Sequence, residues 1–258
     1  MLRHTTLKRL ASSSTRVSTQ LATKNLHVLN NSIPVLKAAN FRSFSTTCKP
    51  LSESTVMRGL QYHGAKDIRY NASIPIPQVT NPNDVVLKVA YCGICGSDLH
   101  EYEHPIFFAN AANSEKGDKI SGKKLPLVIG HEFSGVVQAV GENVTHLKVG
   151  DHAVVETTGH CSDRREYFKF SDEPDCQSCE LGFENTCKDL NFLGLGVDNG
   201  GLAEYTKYSK DHVLKIDKKI PLDVGALIEP LSVVHHAVEL SGFKAGEDAL
   251  VLGSGPIG

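Results

Sequence analysis

Three cysteines lie close together in the sequence, at the spacing Cys176-x2-Cys179-x7-Cys187. Three thiolates this close can hold Zn²⁺ tetrahedrally when a fourth ligand completes the set. Cys161, 15 residues upstream, is the natural fourth ligand. Weaker candidates for that position are His160, Glu173 and Asp175. A site closed by four protein ligands is structural and fixes a segment that lacks regular secondary structure. The alternative interpretation is a group of free surface thiols.

A second group of possible metal ligands is dispersed along the chain and consists of Cys95, His131-Glu132 and Glu229. Each has an ordinary explanation when taken alone. A single cysteine is usually buried filler, and a single histidine is more often hydrogen-bonded in a core than bound to a metal. Because 36 positions separate Cys95 from His131, spacing alone does not join these residues.

A glycine pattern, Gly253-x-Gly255-x-x-Gly258, directly follows the apolar run Ala249–Leu252. Glycines in this pattern allow a tight turn and a close approach of the backbone to a pyrophosphate, which indicates binding of NAD or NADP. The acidic residue that separates NAD from NADP binding is expected about 20 positions further on, so the choice of nucleotide stays open. A plain glycine-rich turn is the alternative.

Short strands separated by turns predict a β-barrel around these residues. Alternating apolar residues predict a strand over 85–91 that leads into a loop at Cys92–Asp98, and the polar stretch 101–125 indicates a surface insertion. Residues 159–190 are expected to be irregular. The further predicted strands are Phe133–Val140, Ala153–Glu156, Tyr205–Lys207 and Val213–Ile216.

The pattern changes after Pro221, whose fixed φ suits the first turn of a helix. Ser232 is expected to cap a helix over Val233–Leu240 that ends at Ser241-Gly242. A helix, the apolar strand Ala249–Leu252 and a glycine loop, in that order, indicate the opening of a parallel α/β sheet. The expected domains are therefore 53–220 and 221–258, preceded by an extension over 1–52.

Residues 1–52 differ in composition from the rest of the chain. Eight of the 27 Lys and Arg residues lie in this segment, whereas all 29 Asp and Glu residues follow it. A basic segment without acidic residues, with leucines and valines at helical spacing, is typical of a mitochondrial transit peptide. Arg42-Ser43-Phe44-Ser45 is similar to a matrix-protease site with cleavage after Phe44. We therefore expect the mitochondrial matrix as the location; a disordered tail on a cytoplasmic protein is the alternative.

The composition of the 258 residues favours a globular protein with a small-molecule partner. Hydrophobic residues make up 40% and charged residues 22% of the chain, and the formal net charge is −2, so charge indicates neither a nucleic acid nor a membrane as partner. No apolar run reaches 18 residues, and we expect no membrane-spanning helix. The sequence has seven cysteines, which include Cys48 and Cys92, and shows no secretory signal. We therefore expect a reducing compartment, where clustered cysteines favour metal ligation over disulfides.

Five motifs in a fixed order resemble the zinc-containing medium-chain dehydrogenase/reductase family over about residues 56–258. They are Gly93-Ile94-Cys95-Gly96-Ser97-Asp98-Leu99-His100, Gly130-His131-Glu132-Phe133-Ser134-Gly135, Val149-Gly150-Asp151-His152, Glu229-Pro230-Leu231-Ser232-Val233 and the Gly253–Gly258 loop. The resemblance implies a mixed β and α/β fold, with a GroES-like β-barrel catalytic domain followed by the truncated start of a Rossmann domain.

Within that family, Glu229-Pro230-Leu231-Ser232-Val233 looks like the polyol and butanediol branch. The run His100-Glu101-Tyr102 and the insertion before His131 look most like the fungal (R,R)-2,3-butanediol dehydrogenases, with sorbitol dehydrogenase as the nearest alternative. The implied reaction interconverts a secondary alcohol or diol, most of all 2,3-butanediol, and its ketone with NAD(P). The chain departs from the family at Glu173, where the first structural-zinc cysteine usually stands, so Cys161 is expected to replace it.

The resemblance also implies roles for individual residues. Cys95, His131, Glu132 and Glu229 would surround a catalytic zinc, with Glu132 and Glu229 acting directly or through water. Ser97 would take the proton of the alcohol and His100 would pass it to solvent, while Asp98 would orient His131. Cys161, Cys176, Cys179 and Cys187 would hold a structural zinc, which gives two zinc ions per chain. A dimer or tetramer of identical chains is expected.

Hydride transfer needs a complete nicotinamide pocket, and we expect the 258-residue chain alone to be inactive. Two alternatives stay open. A zinc-free quinone or enoyl reductase of the same superfamily would lack Cys95, His131 and Glu229 as a set. A non-catalytic, zinc-stabilised truncated paralogue would keep the cysteine cluster without catalysis.

Overall fold

The computed structural model describes residues 55–108, 115–197 and 199–258. The expected transit peptide, the cleavage site after Phe44 and Cys48 lie outside these residues, as does the centre of the insertion over 101–125. The strands of the described part are β1 (Val56–Gly64), β2 (Asp67–Pro75), β3 (Asp84–Cys92), β4 (Leu127–Val128), β5 (Phe133–Val140), β6 (His152–Val155), β7 (Thr158–Gly159), β8 (Asn191–Leu193), β9 (Gly196–Val197), β10 (Tyr205–Ser209) and β11 (Val213–Ile216).

The centre of the fold is a five-stranded antiparallel sheet in the order β10-β3-β5-β6-β11. Val85 and Leu87 of β3 and Phe133 and Val137 of β5 are almost completely buried and form the main core with apolar residues of β6, β8 and β9. Branched and aromatic side chains suit such a pleated surface, which explains why these segments form strands. The sheet places the end of β3 beside the start of β5, because Cys92 pairs with Phe133.

Two smaller sheets complete the β architecture of the described residues. β1 pairs with β2 and with the short β4, and β7, β8 and β9 form the other sheet. Tyr62 of β1 stacks on Phe108 with ring centroids 4.5 Å apart, and both rings are buried. This contact joins the segment 101–125 to the sheet that contains β4, which ends three residues before His131. The prediction that this segment is a surface insertion is wrong for Phe108 and Ile120, which are buried, Ile120 in the main core.

The helices are α1 (Gly96–Glu103), α2 (Gln177–Glu180), α3 (Leu222–Ala226) and α4 (Ile228–Ser241), with a π-helical turn at Asp163–Tyr167 and a 3₁₀ turn at Glu184–Thr186. α3 packs against β3 and β5. Its backbone comes close to the sheet because Ser134 Oγ donates a hydrogen bond to the Leu222 carbonyl, and because Gly225 leaves no side chain in between. α4 follows directly and has no buried residue.

The predicted strands over residues 85–91, Phe133–Val140 and Val213–Ile216 are confirmed, with boundaries that differ by at most one residue. The predicted strands Ala153–Glu156 and Tyr205–Lys207 are confirmed with shifted ends, as β6 and β10. The loop predicted over Cys92–Asp98 is too long, since α1 begins at Gly96. The start of α1 is stabilised because Asp98 Oδ2 accepts a hydrogen bond of 2.9 Å from the Cys95 amide.

Two predictions for the C-terminal part are wrong. Ser232 does not cap a helix, because α4 already begins at Ile228 and Ser232 Oγ donates instead to the Glu229 carbonyl, 2.6 Å away. Pro230 lies in the first turn, where a missing amide is tolerated. The predicted end at Ser241-Gly242 is confirmed, and Gly242 takes the left-handed conformation with φ of 72°.

Ala249–Leu252 is the second wrong prediction, because it is not a strand. A strand needs a hydrogen-bonded neighbour, and no strand of the described residues pairs with this segment. Leu250 and Leu252 are 85% and 90% exposed.

Among the residues described, no helix combines the length and the apolar character needed to cross a membrane.

Candidate functional site

Cys95, His131 and Glu132, which are dispersed in sequence, come together at one end of the central sheet. Their possible ligand atoms all lie within 4.8 Å of one another. Cys95 lies between the end of β3 and α1, and His131-Glu132 lies between β4 and β5. The pairing of Cys92 with Phe133 therefore explains why the two segments meet. Sulfur, nitrogen and carboxylate oxygen donors around one point are a set that fits zinc.

Asp98 connects two members of this cluster. Its Oδ2 accepts the Cys95 amide, and its Oδ1 lies 3.4 Å from His131 Nδ1. Both Asp98 Oδ1 and His131 Nδ1 are buried, and neither has a hydrogen-bond partner in the described residues, so their 3.4 Å contact is electrostatic. A carboxylate on Nδ1 leaves Nε2 as the nitrogen with a free lone pair, which is the usual orientation of a metal-binding histidine.

Gly130 allows His131 to reach this position. Gly130 has φ of 97°, a conformation that favours glycine, and a Cβ there would lie 2.8 Å from Cys92 Sγ and 2.7 Å from Leu202 Cγ. Its amide donates to the Gly194 carbonyl at 2.9 Å, and its carbonyl accepts from the Gly201 amide at 2.7 Å. The backbone before His131 is thus fixed on both sides.

Gly93 has a similar function for Glu132, although its φ is ordinary. A Cβ on Gly93 would come well inside 3.0 Å of a Glu132 carboxylate oxygen and 3.2 Å from Glu132 Cβ. The Gly93 amide also donates to the Glu132 carbonyl at 2.7 Å. Glycine at this position therefore lets the Glu132 carboxylate lie directly over the loop that contains Cys95, a role that spacing in the sequence did not reveal.

Glu229, at the start of α4, lies close enough to this cluster to interact with it electrostatically. Burial raises the pKa of Glu229, and Glu132 and Asp98 raise it further, whereas His131 lowers it. Burial lowers the pKa of His131, but Asp98, Glu229 and Glu132 more than offset this, so the net pKa is raised. The carboxylates thus favour a positive charge at this place. Glu229 is not in the set of mutually close donors, which among the described residues contains only Cys95, His131 and Glu132 at this site.

Ser97 and His100 both lie on α1. Ser97 Oγ is 3.2 Å from His131 Nε2, so its hydroxyl is beside the cluster. His100 is exposed, and its ring lies 5.9 Å from that of His104. Residues three positions apart share a face of a helix, so Ser97, beside the cluster, and exposed His100 lie on the same face of α1.

The four cysteines Cys161, Cys176, Cys179 and Cys187 form a separate cluster, with their sulfur atoms within 4.8 Å of one another. The Sγ atom of Cys187 is 3.6 Å from that of Cys161 and 3.9 Å from that of Cys176. Zn–S bonds of about 2.3 Å in a tetrahedron place the sulfurs about 3.8 Å apart. All four are free thiols, and the donor set fits a structural zinc ion.

The protein environment favours a thiolate at Cys176 and a neutral thiol at Cys179 and Cys187. Backbone amides of Lys188 and Cys179 lower the pKa of Cys176 to about 6. Burial raises the pKa of Cys187 to about 11 and raises that of Cys179 as well. A metal ion removes this conflict, since it deprotonates coordinating thiols.

The other candidates for the fourth structural ligand have different partners. Glu173 and Asp175 contact arginines: Arg164 Nη1 lies 3.5 Å from Glu173, and Arg165 Nη1 lies 2.5 Å from Asp175. His160 lies beside Asp163. The geometry therefore favours Cys161, as expected from the sequence. Arg164 is itself buried and pairs with Asp189 at 2.9 Å, which holds the cysteine loop together.

The glycines Gly253, Gly255 and Gly258 are exposed and lie apart from the described helices and strands. Gly253 has φ of 112°, which favours glycine. The structure does not bring this loop together with the Cys95 cluster, and the cofactor-binding role predicted for it stays a prediction.

A third group of possible ligands, His160, Asp163 and His212, was not recognised from the sequence. His212 is 49 residues from Asp163, and no sequence pattern connects them.

Comparisons with known proteins place this geometry in context. The alcohol dehydrogenase GroES-like domain family matches residues 81–218. The (R,R)-butanediol dehydrogenase of Saccharomyces cerevisiae is 48% identical over 205 residues, which are 78% of this chain and 53% of that protein. The D-xylulose reductase A of Aspergillus niger is 39% identical over 184 residues, 71% of this chain and 45% of that protein.

Among solved structures, the 2R,3R-butanediol dehydrogenase of Bacillus subtilis is similar, with a TM-score of 0.66 and 38% identity over 78% of this chain and 52% of that chain. The chain spans about half the length of the curated relatives it matches. The domain match covers more than half of the chain and includes Cys95, His131, Glu132 and the four-cysteine cluster. The chain therefore belongs to the alcohol dehydrogenase GroES-like family of zinc-dependent medium-chain dehydrogenases/reductases.

Proposed function

We propose that the protein containing this chain is a zinc- and NAD(P)-dependent oxidoreductase that interconverts a small secondary alcohol or diol and its ketone. 2,3-Butanediol and acetoin are the proposed pair. The observation that carries this proposal is the convergence of Cys95, His131 and Glu132 within 4.8 Å, on a scaffold of the alcohol dehydrogenase GroES-like family. The similarity to butanediol dehydrogenases over 78% of the chain supports the choice of substrate.

The proposed centre uses Cys95, His131 and Glu132 as metal ligands, with Glu229 as an additional nearby carboxylate. Zinc held there would supply Lewis acidity toward the hydroxyl oxygen of the substrate. Asp98 holds both Cys95 and His131 in position through its two carboxylate oxygens. The carboxylates of Asp98, Glu132 and Glu229 around His131 make this place suitable for a divalent cation.

Ser97 and His100 give the proton a route out of the pocket. The Ser97 hydroxyl, 3.2 Å from His131 Nε2, is close to where a hydroxyl substrate would lie. We assign it the first acceptance of the proton, and exposed His100, one helical turn further, its release to solvent. The four-cysteine cluster offers four protein ligands, which complete a tetrahedral set, and we assign it a second, structural zinc.

The polyol alternative rests on the similarity to D-xylulose reductase A and on the same metal cluster. A chimera that joins this chain to the nucleotide-binding part of the yeast relative distinguishes the two substrate classes. We expect NAD(P)H-dependent reduction of acetoin to exceed that of D-xylulose, and Cys95→Ala to abolish both. Gly96→Ala is the matched control, because a Cβ at Gly96 meets no atom within 4 Å.

Preference for D-xylulose would reject butanediol as the substrate and favour the polyol alternative. A folded, zinc-loaded chimera that reduces neither ketone would reject the catalytic assignment and favour the non-catalytic paralogue. Elemental analysis of the 258-residue chain shows whether an inactive protein has lost its metal. We expect the two cysteine-containing clusters to hold about two zinc ions per chain in total, and about one in Cys95→Ala.

We also propose that residues 1–52 direct the protein to the mitochondrial matrix and that the mature protein forms dimers or tetramers. Eight basic and no acidic residues in that segment support the first proposal. A fluorescent protein fused after residue 52 should enter mitochondria, and the same fusion without the segment should stay in the cytoplasm. Light scattering of the purified chimera measures the oligomeric state.

A further inference from the structure

His160, Asp163 and His212 form a polar cluster that is separate from both groups of ligands described above. The three residues offer ligand atoms within 4.8 Å of one another. The side chains of Asp163 and His212 are each 5% exposed, and that of His160 is 12% exposed. His160 and Asp163 begin the segment after β7, whereas His212 lies in the turn between β10 and β11.

Both imidazoles direct a nitrogen at the same carboxylate. His212 Nε2 is 2.8 Å from Asp163 Oδ1, and His160 Nε2 is 3.5 Å from Asp163 Oδ2. The two rings are 5.5 Å apart. Donors bonded to one tetrahedral metal ion at 2.0–2.1 Å lie about 3.3–3.5 Å apart. His160 Nε2 and Asp163 Oδ2 already have about this spacing, and His212 Nε2 and Asp163 Oδ1 would have to separate by about 0.5–0.7 Å to reach it.

The contacts of His212 require a cation at one of its two ring nitrogens. His212 Nδ1 lies 3.1 Å from the Glu156 carbonyl, and a carbonyl can only accept, so Nδ1 carries a hydrogen. Nε2 of a neutral imidazole is then a bare lone pair, yet it faces a carboxylate oxygen, which also only accepts. Two acceptors 2.8 Å apart in a buried site need a cation between them: a proton or a metal ion.

The surroundings of this cluster match those of known types of metal sites. A ligating histidine typically donates its second nitrogen to a backbone carbonyl, as His212 does to Glu156. His160 Nδ1 is held by Ser162 Oγ at 3.0 Å, so its Nε2 stays directed at the cluster. The Glu156 amide also donates to the His212 carbonyl at 2.8 Å, which fixes the backbone of the turn. Two imidazoles and one carboxylate suit zinc, cobalt or nickel rather than calcium or magnesium.

We propose that His160, Asp163 and His212 form a third metal site, which binds a divalent transition metal ion such as Zn²⁺ with solvent as the remaining ligand. The ion enters past His160, the most exposed of the three residues. It joins the segment that contains Cys161 to the β10–β11 turn of the central sheet. The site does not depend on the proposed catalytic function.

The test starts from the 258-residue chain with two equivalents of zinc, which fill the two cysteine-containing clusters, and titrates it with Co²⁺, followed by dialysis, metal analysis and absorption spectroscopy. We expect about one further ion per chain, with the weak bands of nitrogen and oxygen ligation and no increase in thiolate-to-cobalt charge transfer. Charge transfer appears only where cysteine sulfur binds, so it separates this site from both other clusters. His160→Gln should weaken binding of the further ion by at least about tenfold.

His146→Gln is the matched control, because His146 is exposed, belongs to none of the three clusters and places its Nε2 atom 3.3 Å from the Val213 carbonyl. Equal loss of the further ion in both variants, or no loss in His160→Gln, would overturn the proposal. Absence of a further ion, or binding with thiolate charge transfer, would do the same. His212→Gln is a second variant, and its circular dichroism shows whether it folds; His160→Gln decides the question if it does not.

Discussion

Gly93→Ala tests directly whether Glu132 belongs to the metal centre. A Cβ at position 93 would lie well inside 3.0 Å of a Glu132 carboxylate oxygen, whereas the φ of Gly93 is one that alanine adopts without strain. The atom in conflict is the far end of a flexible side chain. We therefore expect the fold to persist and the Glu132 carboxylate to move by about 1 Å, the distance needed to restore an ordinary contact.

A displacement of this size is about twice the roughly 0.5 Å within which a functional group must be held. Zinc affinity at the Cys95 cluster should fall about 10–100-fold, the range seen when the support of a ligand is lost. Gly96→Ala is the matched control. Gly96 lies three residues after Gly93, and a Cβ there would meet no atom within 4 Å. Because Gly96 is the first residue of α1, alanine there should leave zinc affinity unchanged and stabilise the helix by at most about 1 kcal/mol.

The assay is a competition titration of zinc against a chromophoric chelator, with the wild-type chain and both variants under the same conditions. Circular dichroism during thermal unfolding measures whether each variant folds. If Gly93→Ala binds zinc as tightly as Gly96→Ala, Glu132 is not a ligand and the reasoning fails. If both variants lose zinc equally, the backbone of the loop, and not the Glu132 carboxylate, controls the site.

Three further predictions concern other parts of the chain. Cys187→Ser should remove about one zinc ion per chain, measured by elemental analysis, and lower the unfolding temperature, measured by calorimetry, while the Cys95 cluster keeps its ion. Retention of all zinc would argue against the four-cysteine site. Ser97→Ala in the chimera should lower kcat about 10²–10⁴-fold without loss of zinc; an unchanged kcat would remove Ser97 from the proton route. Asp84→Asn should destabilise the chain by about 2–3 kcal/mol at neutral pH in urea unfolding, because Asp84 is buried and accepts hydrogen bonds from Thr80, Tyr167 and Lys207. Burial raises the pKa of Asp84, but the hydrogen bonds from these partners lower it by more than burial raises it. The pKa of Asp84 is therefore below its ordinary value. The difference between wild type and Asp84→Asn should therefore be full above the ordinary carboxyl pKa and shrink as the pH falls through the folded value; a difference independent of pH down to about pH 3 would contradict this.

Local patterns in the sequence predicted much of the fold, because apolar alternation reflects which face of a strand is buried. β3, β5 and β11 were predicted close to their observed ends. The start of α4 was not, since Ser232 is a good capping residue but Pro230 is equally compatible with a first helical turn. Ala249–Leu252 has the composition of a strand, and composition alone does not supply the neighbouring strand that its backbone needs.

The site was less accessible to sequence reasoning because its parts are joined by pairing between distant strands. Cys95 and His131 were related only through the resemblance of their motifs to a family, and their contact follows from the pairing of β3 with β5. The four-cysteine cluster was easier to predict from the sequence, because three of its members are close together in the chain. Asp163 and His212 gave no local signal, because their contact depends on how the segment after β7 folds against the β10–β11 turn.

The pairing of Cys92 with Phe133 has a consequence for how such proteins vary. Cys95 lies three residues after one member of this pair, and His131 lies two residues before the other. The two side chains are therefore brought together by the last pair of one ladder, just beyond which both lie, although 36 positions separate them in the chain. Exposed positions of the segment between α1 and β4 can change without altering this pairing, whereas Phe108 and Ile120 are buried and their substitution would disturb the packing beside it. Substitutions in the ladder itself lack that freedom, and a one-residue deletion in β3 would do more harm than changes at those exposed positions.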